Sequence, residues 1–345
     1  MNKEFLYSLL NSMSVTGYEI PLQKKVIAEM TPHCDCVRTD LTGNVFSIIN
    51  PDSPFKVLLT GHIDEIGLVV TLIQEDGLLR VTRAGGIYPQ VFPGHQVVIH
   101  NAKGPVYGAV VNYHGLIKEN LKAEDMYIDI GAKDGDDARQ YVEAGDPVIL
   151  NTGCQEMLNG NLVARAIDDR AGAFIVLEAM KRAKERGCKV CVTTATTVGE
   201  ETNKRGAVWA NRAVTPHVAI AVDVTYCTDV PGTHPEEGGM VCLGKGPVLC
   251  NSTLINKKFN EMLKTIARER NIPFQMETYL NRTCTDIDEL HLFGSNVATA
   301  LISLPLRYMH SPAEVCNLQD IENCIELIAE FLCRVDENTD FDPFH

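Results

Sequence analysis

Residues 190–223 read VCVTTATTVGEETNKRGAVWANRAVTPHVAIAVD and contain the pattern from which the fold class follows. The first part, 190–196, is rich in β-branched residues and predicts a strand. Residues 206–213 predict a helix, and the wholly apolar run 218–222 predicts a second, buried strand. Strands that alternate with helices along the chain are typical of a layered α/β domain.

The same alternation extends to both sides of this stretch. Upstream, a helix is predicted over 169–187, and the apolar run 56–62 predicts a buried strand that ends in His62. The N-terminal segment adds two helices and a strand over 45–49. Downstream, the predicted helices cover 254–271, 287–292 and 320–335, and the predicted strands cover 274–279 and 298–304.

Residues 67–162 differ from the rest because short β-rich stretches recur between glycines and prolines. The predicted strands cover 78–81, 96–99, 106–111, 126–130 and 147–150. One helix is predicted over 136–144, ending at Gly145. We therefore predict an α/β fold: a layered α/β/α domain with a mixed central sheet, discontinuous over 1–66 and 163–345. A small β-barrel-like insertion domain at 67–162 would interrupt it.

Composition excludes several classes of protein. The chain has 345 residues, 45% of them hydrophobic and 22% charged, as in globular proteins. Its net charge of -14 argues against a nucleic-acid partner. No apolar run approaches the roughly 20 residues that a membrane span needs. The N-terminal segment lacks the features of a signal peptide, and the 12 cysteines are expected to be thiols, which favours a cytoplasmic location.

Side chains that can ligate metals follow or precede the predicted elements at several points. They are His62 and Asp64, Asp168 and Asp169, Glu200 and Glu201, Asp223, and His310. Because sites in open α/β sheets lie at the carboxyl ends of strands, we expect these side chains to meet. Mixed histidine and carboxylate ligands suit zinc, cobalt or manganese better than calcium or magnesium.

Each of these patterns also has a plainer structural explanation. Residues two apart in extended backbone share a face, so Asp64 could simply accept a proton from the His62 ring and fix its tautomer. Asp168 and Asp169 could cap the following helix, although one can cap while the other bridges metals. The acids at 200–201 could belong to a solvated loop. Their side chains diverge, however, so one could bind metal while the other reaches the substrate or its water.

The ordered set of motifs resembles the M42 metallo-aminopeptidases, the glutamyl and deblocking group with tetrahedral assemblies. The matching stretches are GHIDEIG at 61–67, AIDDRAG at 166–172, GEE at 199–201 with RGA at 205–207, AVDVT at 221–225 and RYMHSP at 307–312. Weaker matches are YIDIGA at 127–132 and the Thr-Asp pair at 285–286. The resemblance covers nearly the whole chain.

The resemblance implies an aminopeptidase with two divalent metal ions per subunit, zinc first and cobalt or manganese as alternatives. Asp168 would bridge the two ions. His62 and Asp223 would complete one metal site, and Glu201 and His310 the other.

The same resemblance implies the remaining roles. Glu200 would be the general base, Asp64 would support catalysis, and Thr285 and Asp286 would contact the substrate, a peptide with a free N-terminus. It also implies a homo-oligomer, expected to be a dodecamer built through the insertion, with a dimer left open. No membrane or nucleic-acid partner is expected.

Two segments depart from the family pattern and leave the preferred substrate open, namely Thr-Asn-Lys at 202–204 and Arg-Thr-Cys at 282–284. One rival is a glycoside hydrolase, since paired carboxylates are present. A single tryptophan and 6% aromatic residues argue against a sugar cleft. The other rival is an inactive scaffold that binds peptides or metals, which metal-dependent peptide turnover would exclude.

Overall fold

The computed structural model describes residues 1–112, 120–292 and 296–345. The N-terminal segment begins with a helix because Asn2 caps it, accepting the Phe5 amide proton at 3.2 Å. Its apolar residues recur every three to four positions and are buried. The elements of this segment are α1 (Lys3–Leu10), α2 (Ile20–Met30), β1 (Cys36–Thr39), β2 (Val45–Ile49) and β3 (Lys56–His62).

The next segment forms a closed six-stranded barrel. Its elements are β4 (Gly67–Ile73), β5 (Leu79–Ala84), β6 (Gln96–Asn101), β7 (Gly104–Val110), β8 (Tyr127–Asp129), α3 (Gly135–Ala138) and β9 (Pro147–Leu150). All neighbouring strands are antiparallel, in the order β4-β5-β8-β7-β6-β9, and β9 pairs back with β4. Side chains such as Leu68, Val97 and Ile128 fill its interior. Closure leaves no unpaired edge strand.

The rest of the chain returns to the α/β pattern. Its elements are β10 (Gln155–Glu156), β11 (Asn161–Ala164), α4 (Ile167–Glu185), β12 (Cys191–Thr197), α5 (Arg205–Val214), β13 (Val218–Tyr226), α6 (Pro235–Gly238), β14 (Val248–Asn251), α7 (Lys257–Glu269), β15 (Gln275–Thr278), α8 (Ile287–Leu292), β16 (Ala298–Leu306), β17 (Glu314–Asn317) and α9 (Leu318–Arg334). Within the described residues, no helix is both long and apolar enough to cross a bilayer.

The central sheet has eight strands in the order β1-β2-β12-β3-β13-β16-β14-β15. Strands β12, β3, β13 and β16 are parallel to one another, whereas β2 and β14 join them antiparallel, so the sheet is mixed. Parallel pairing brings the carboxyl ends of four strands to one edge. His62 at the end of β3 thereby lies level with Thr197 at the end of β12.

Helices cover both faces of this sheet. Successive residues of β3 point to opposite faces: Val57 packs with α4 and α9, whereas Leu58 packs with α5 and α8. The approach of α4 is close, since a Cβ added to Gly61 would lie 2.5 Å from the Ala173 nitrogen. Only glycine fits there. The predicted α/β/α layering and the predicted barrel are both confirmed.

Some predicted elements were wrong. The helix predicted over 136–144 ends at Ala138, after which the chain turns so that the Gly145 amide can donate to Val70 O at 2.8 Å. The four-residue strands β14 and β17 were missed because they are too short to show a period; pairing with β16 and β11 forms them. The proposed domain limits, 1–66 with 163–345 and 67–162, stay a prediction.

A buried ion network joins β3, α1 and α4 directly behind the carboxyl edge. Glu65 is 3% exposed, and its Oε1 lies 2.5 Å from Arg170 Nη2 while its Oε2 pairs with Arg165 Nη1. It also accepts the Ser14 amide proton at 3.0 Å. Burial opposes ionisation, but the two arginines hold the pKa of Glu65 below its ordinary value. Glu65 is therefore the anion that neutralises both buried guanidinium groups.

Replacing Glu65 by glutamine should destabilise the fold by about 3–5 kcal/mol, because it leaves two buried arginines without their counter-ion. Urea unfolding followed by circular dichroism measures the change. The matched control is Glu185→Gln, an exposed acid on α4, which should leave the unfolding midpoint unchanged. Equal stability of both variants would contradict the role given to Glu65.

Candidate metal centre

The carboxyl edge of the sheet brings the expected ligands together. His62 ends β3, Asp168 lies in the first turn of α4, Asp223 lies within β13, and His310 follows β16. The acids at 200–201 follow β12 and reach the same edge. The expectation that these side chains meet is thus met by the geometry.

Asp168 lies between the two histidines. Its Oδ1 is 3.1 Å from His62 Nε2, and its Oδ2 is 3.3 Å from His310 Nε2. The two oxygens of one carboxylate therefore face two different imidazoles. Asp168 is therefore a carboxylate that contacts both histidines.

Two groups of side chains have ligand atoms within 4.8 Å of one another. One group contains His62, Asp169 and Asp223, and the other contains His62, Asp168 and Glu201. His310 extends the second group, since its Nε2 lies 3.8 Å from Glu201 Oε2. Imidazole and carboxylate donors at this spacing suit a divalent cation.

Asp169 takes the helix-capping role. Its Oδ1 accepts the Gly172 amide proton at 3.1 Å, and its Oδ2 accepts that of His62 at 3.2 Å. A Cβ at Gly172 would lie 2.2 Å from Asp169 Oδ1, so glycine is required at that position. Both Asp169 oxygens are thus engaged by the backbone, whereas those of Asp168 face the histidines. Asp169 therefore caps the helix, and the metal role expected for Asp168 stays a prediction.

Asp64 holds the site from behind. Its two oxygens accept the amide protons of Glu200 at 3.1 Å and Glu201 at 3.2 Å. His62 Nδ1 lies 3.1 Å from the Asp64 carbonyl oxygen and 3.5 Å from Asp64 Oδ1. Asp64 is fully buried, so it orients His62 and the two glutamates without facing the cavity.

Glu314 belongs to the same site, although the sequence analysis missed it. Its carboxylate accepts the amide protons of His310 at 2.8 Å and Asp168 at 3.2 Å, and it is 2% exposed. The other face of His310 contacts the barrel segment, because its Nδ1 lies 2.9 Å from Gly86 O. The sequence signal was an acid directly before the apolar pair 315–316, four residues beyond the histidine.

Electrostatics of this cluster favour a bound cation. Burial raises the pKa values of Asp223 and Glu201 well above the ordinary range, and the Asp168 charge raises them further. Burial opposes protonation of His62, but contacts with Asp168 and Asp64 raise its pKa well above the usual value. So many carboxylates in one buried place repel one another. A divalent cation among them would offset that repulsion, so the residues fit a metal site.

A cavity of about 710 Å³ opens directly onto this cluster. Its lining includes Glu200, Lys204, Tyr279, Arg282 and Thr285. Of the two residues expected to contact substrate, Thr285 lines the cavity.

Asp286, the other expected substrate residue, is buried and accepts the hydroxyl proton of Thr197 at 2.6 Å. Burial, together with the nearby Glu200 charge, raises the pKa of Asp286 to about 7. Asp286 therefore lies behind the residues that line the cavity and is not itself among them.

Residues 43–327 match the model of the family described as M42 glutamyl aminopeptidase. The chain belongs to the M42 peptidase family. This match confirms the resemblance drawn from the motifs, and it places the chain among metal-dependent hydrolases of the aminopeptidase type.

Several relatives of this M42 peptidase are similar over their full lengths. The lysyl aminopeptidase of Pyrococcus furiosus is 30% identical, and the match covers 99% of each chain. The TET aminopeptidase of a marine sediment archaeon of the Thaumarchaeota superposes with a TM-score of 0.91 at 31% identity, covering 97% of this chain and 96% of its own. The Pyrococcus horikoshii TET1 peptidase, which can assemble into a tetrahedron or a large octahedral shell, gives a TM-score of 0.85 at 27% identity, covering 96% and 99%.

Divalent metal should stabilise this M42 peptidase against unfolding, because only the folded chain assembles the cluster. At a free metal concentration 100 times the Kd, one site contributes about 2.7 kcal/mol. Differential scanning fluorimetry of chelator-treated protein with zinc, cobalt or manganese measures the rise in Tm. Asp168→Asn should remove most of the rise, and the exposed-site control Asp52→Asn should keep it. An unchanged response in Asp168→Asn would exclude the cluster as the metal site.

Proposed function

We propose that this M42 peptidase removes the N-terminal residue from peptides with free amino termini, using two divalent ions and Glu200 as the general base. The observation that carries the proposal is the position of Asp168, whose two oxygens face His62 and His310 at 3.1 and 3.3 Å. A carboxylate with one oxygen toward each of two imidazoles could serve as a ligand shared by two ions, as two-metal hydrolysis would need.

The donor set suggests how two ions would be shared. Asp168 would bridge them, His62 and Asp223 would complete one site, and Glu201 and His310 would complete the other. Zinc is the metal that these donors suit best, with cobalt or manganese as alternatives. When bound, such ions make water more acidic and polarise the carbonyl group of the scissile bond.

Glu200 is the side chain that we propose moves the proton. It lines the cavity, the residue is only 9% exposed, and its Oε2 lies 3.9 Å from His62 Nε2. Burial raises the pKa of Glu200, which brings it closer to the value that suits a base near neutral pH. Glu200 would take the proton of the attacking water and deliver it to the nitrogen of the leaving amine.

A homo-oligomer is part of the proposal. Its support is the fold shared with TET peptidases, of which one can assemble into a tetrahedron or a larger shell. We infer a dodecamer built through the barrel segment, with cytoplasmic peptides as substrates. All twelve cysteines are free thiols, as expected in a reducing compartment.

Light scattering coupled to size-exclusion chromatography tests the assembly. A dodecamer should elute with a mass twelve times the 38.0 kDa of one chain. A mass twice that of one chain would instead indicate a dimer and would contradict an assembly of the tetrahedral type.

The activity itself is tested on protein stripped with chelator and reloaded separately with zinc, cobalt or manganese. A panel of aminoacyl-nitroanilides and short free-amine peptides should be hydrolysed only after metal is restored. Glu200→Gln should lower kcat by about 10²–10⁴-fold with unchanged metal content, because it removes the proton acceptor and no ligand. The exposed Glu185→Gln variant is the control and should retain full activity.

The outcomes separate the candidate functions. N-terminally blocked peptides should resist hydrolysis if the enzyme is an aminopeptidase. Metal binding without turnover of any peptide would indicate that the protein is an inactive scaffold that binds peptides or metals. Hydrolysis of glycosidic substrates instead of peptides would identify the site as a glycosidase.

A further inference from the structure

A lysine contacts the carboxylate that we assign as the general base. Lys204 Nζ lies 2.5 Å from Glu200 Oε1, and only 16% of the lysine side chain is exposed. The other oxygen, Glu200 Oε2, is the one that faces His62. The two oxygens of the base are thus distinguished, because one is held by a cation and the other points to the metal cluster.

The backbone around Lys204 is built to hold it in this position. Residues 199–204 form a compact turn in which the Lys204 amide donates to Gly199 O at 2.8 Å. Lys204 has a positive φ of 54°, a conformation that non-glycine residues rarely adopt. Gly199 also has a positive φ, of 71°, so a larger residue would be strained at this point of the turn. This turn presents the lysine side chain to the cavity and not to solvent.

The neighbouring arginines form ion pairs with acids other than Glu200. Arg282, which also lines the cavity, pairs with Glu289 at 2.7 Å and with Asp288 at 3.4 Å. Arg205 faces Glu19, at 3.6 Å. Lys204 is therefore the cation that contacts Glu200. Burial alone would lower the pKa of Lys204, but the Glu200 carboxylate raises it, so the ammonium stays charged.

We propose that Lys204 is a positioning residue for the hydrolysis: its ammonium fixes Glu200 through Oε1 and leaves Oε2 directed at the reacting water. A carboxylate on a flexible side chain would otherwise sample several rotamers in a cavity of this size. Displacement of a catalytic group by about 1 Å can cost about 100-fold in rate. The inference rests on the proposed function, since it requires Glu200 to act as the base.

The test compares four proteins with the wild type: Lys204→Met, Lys204→Arg, Glu200→Gln and the double variant Lys204→Met/Glu200→Gln. Lys204→Met should lower kcat by about 10- to 100-fold with KM within about threefold of the wild type. Lys204→Arg should recover most of kcat, because it restores the cation. Metal content, measured by elemental analysis, should be the same in all of them.

The double variant distinguishes a lysine that acts through Glu200 from one that only stabilises the fold. The measured quantity is whether the two losses in kcat add. If Lys204 acts through Glu200, adding Lys204→Met to Glu200→Gln should cause little further loss, so the two effects should not add. Lys181→Met is the matched control. It removes a similarly buried lysine, 12% exposed and paired with Glu29 and Glu178, from the C-terminal part of α4. That control should retain full kcat.

Three results would overturn the inference: an unchanged kcat in Lys204→Met, a rise in KM alone, or fully additive losses in the double variant. If Lys204→Met does not fold, Lys204→Gln takes its place in the same scheme. Full activity of Glu200→Gln would instead overturn the proposed function itself. That result can be told apart, because it does not depend on any change at Lys204.

Discussion

The burial of several carboxylates at one edge of a sheet is the constraint on which the rest of this structure depends. Asp168 and Glu201 have ligand atoms within 4.8 Å of each other and of His62, and Asp223 lies equally close to His62 and Asp169. Ionised acids in such a place repel one another unless cations are present. Two histidines and a lysine supply part of the compensation, and a divalent metal is the natural source of the rest. The chemistry of the site follows from this excess of buried negative charge.

Two adjacent acids, Asp64 and Glu65, have different roles. One supports the candidate site, and the other neutralises charge in the core. Asp64 turns toward the site and holds the amides of Glu200 and Glu201, while Glu65 turns away and neutralises the buried arginines. Neighbouring residues in extended backbone point to opposite sides, so one short segment can serve both purposes. The candidate metal cluster is therefore fixed to the core through the short extended segment after β3. Rigid support of this kind is what precise catalytic geometry requires.

The barrel segment contributes a direct contact to the candidate site. The carbonyl of Gly86, between β5 and β6, lies 2.9 Å from His310 Nδ1 and orients that imidazole. A second carboxylate, Glu314, holds the His310 amide and the Asp168 amide together. One histidine of the cluster is thus positioned by two separate parts of the fold. A hydrogen bond to the second ring nitrogen of a ligand histidine fixes which nitrogen faces the metal.

The sequence by itself determined the α/β class, the barrel segment and the family, because apolar runs that end in acids or histidines are local patterns. His62, Asp168 and Asp223 were found in this way. Other features depended on tertiary structure. Gly86 and His310 are 224 residues apart, and the pairing of Asp64 with the amides at 200–201 spans 136 residues or more, so no local period could reveal either. Likewise, the contact between Lys204 and Glu200 depends on a turn with two positive φ angles, at Gly199 and Lys204. Local sequence determined which chemistry was available, and long-range packing decided which atoms face one another.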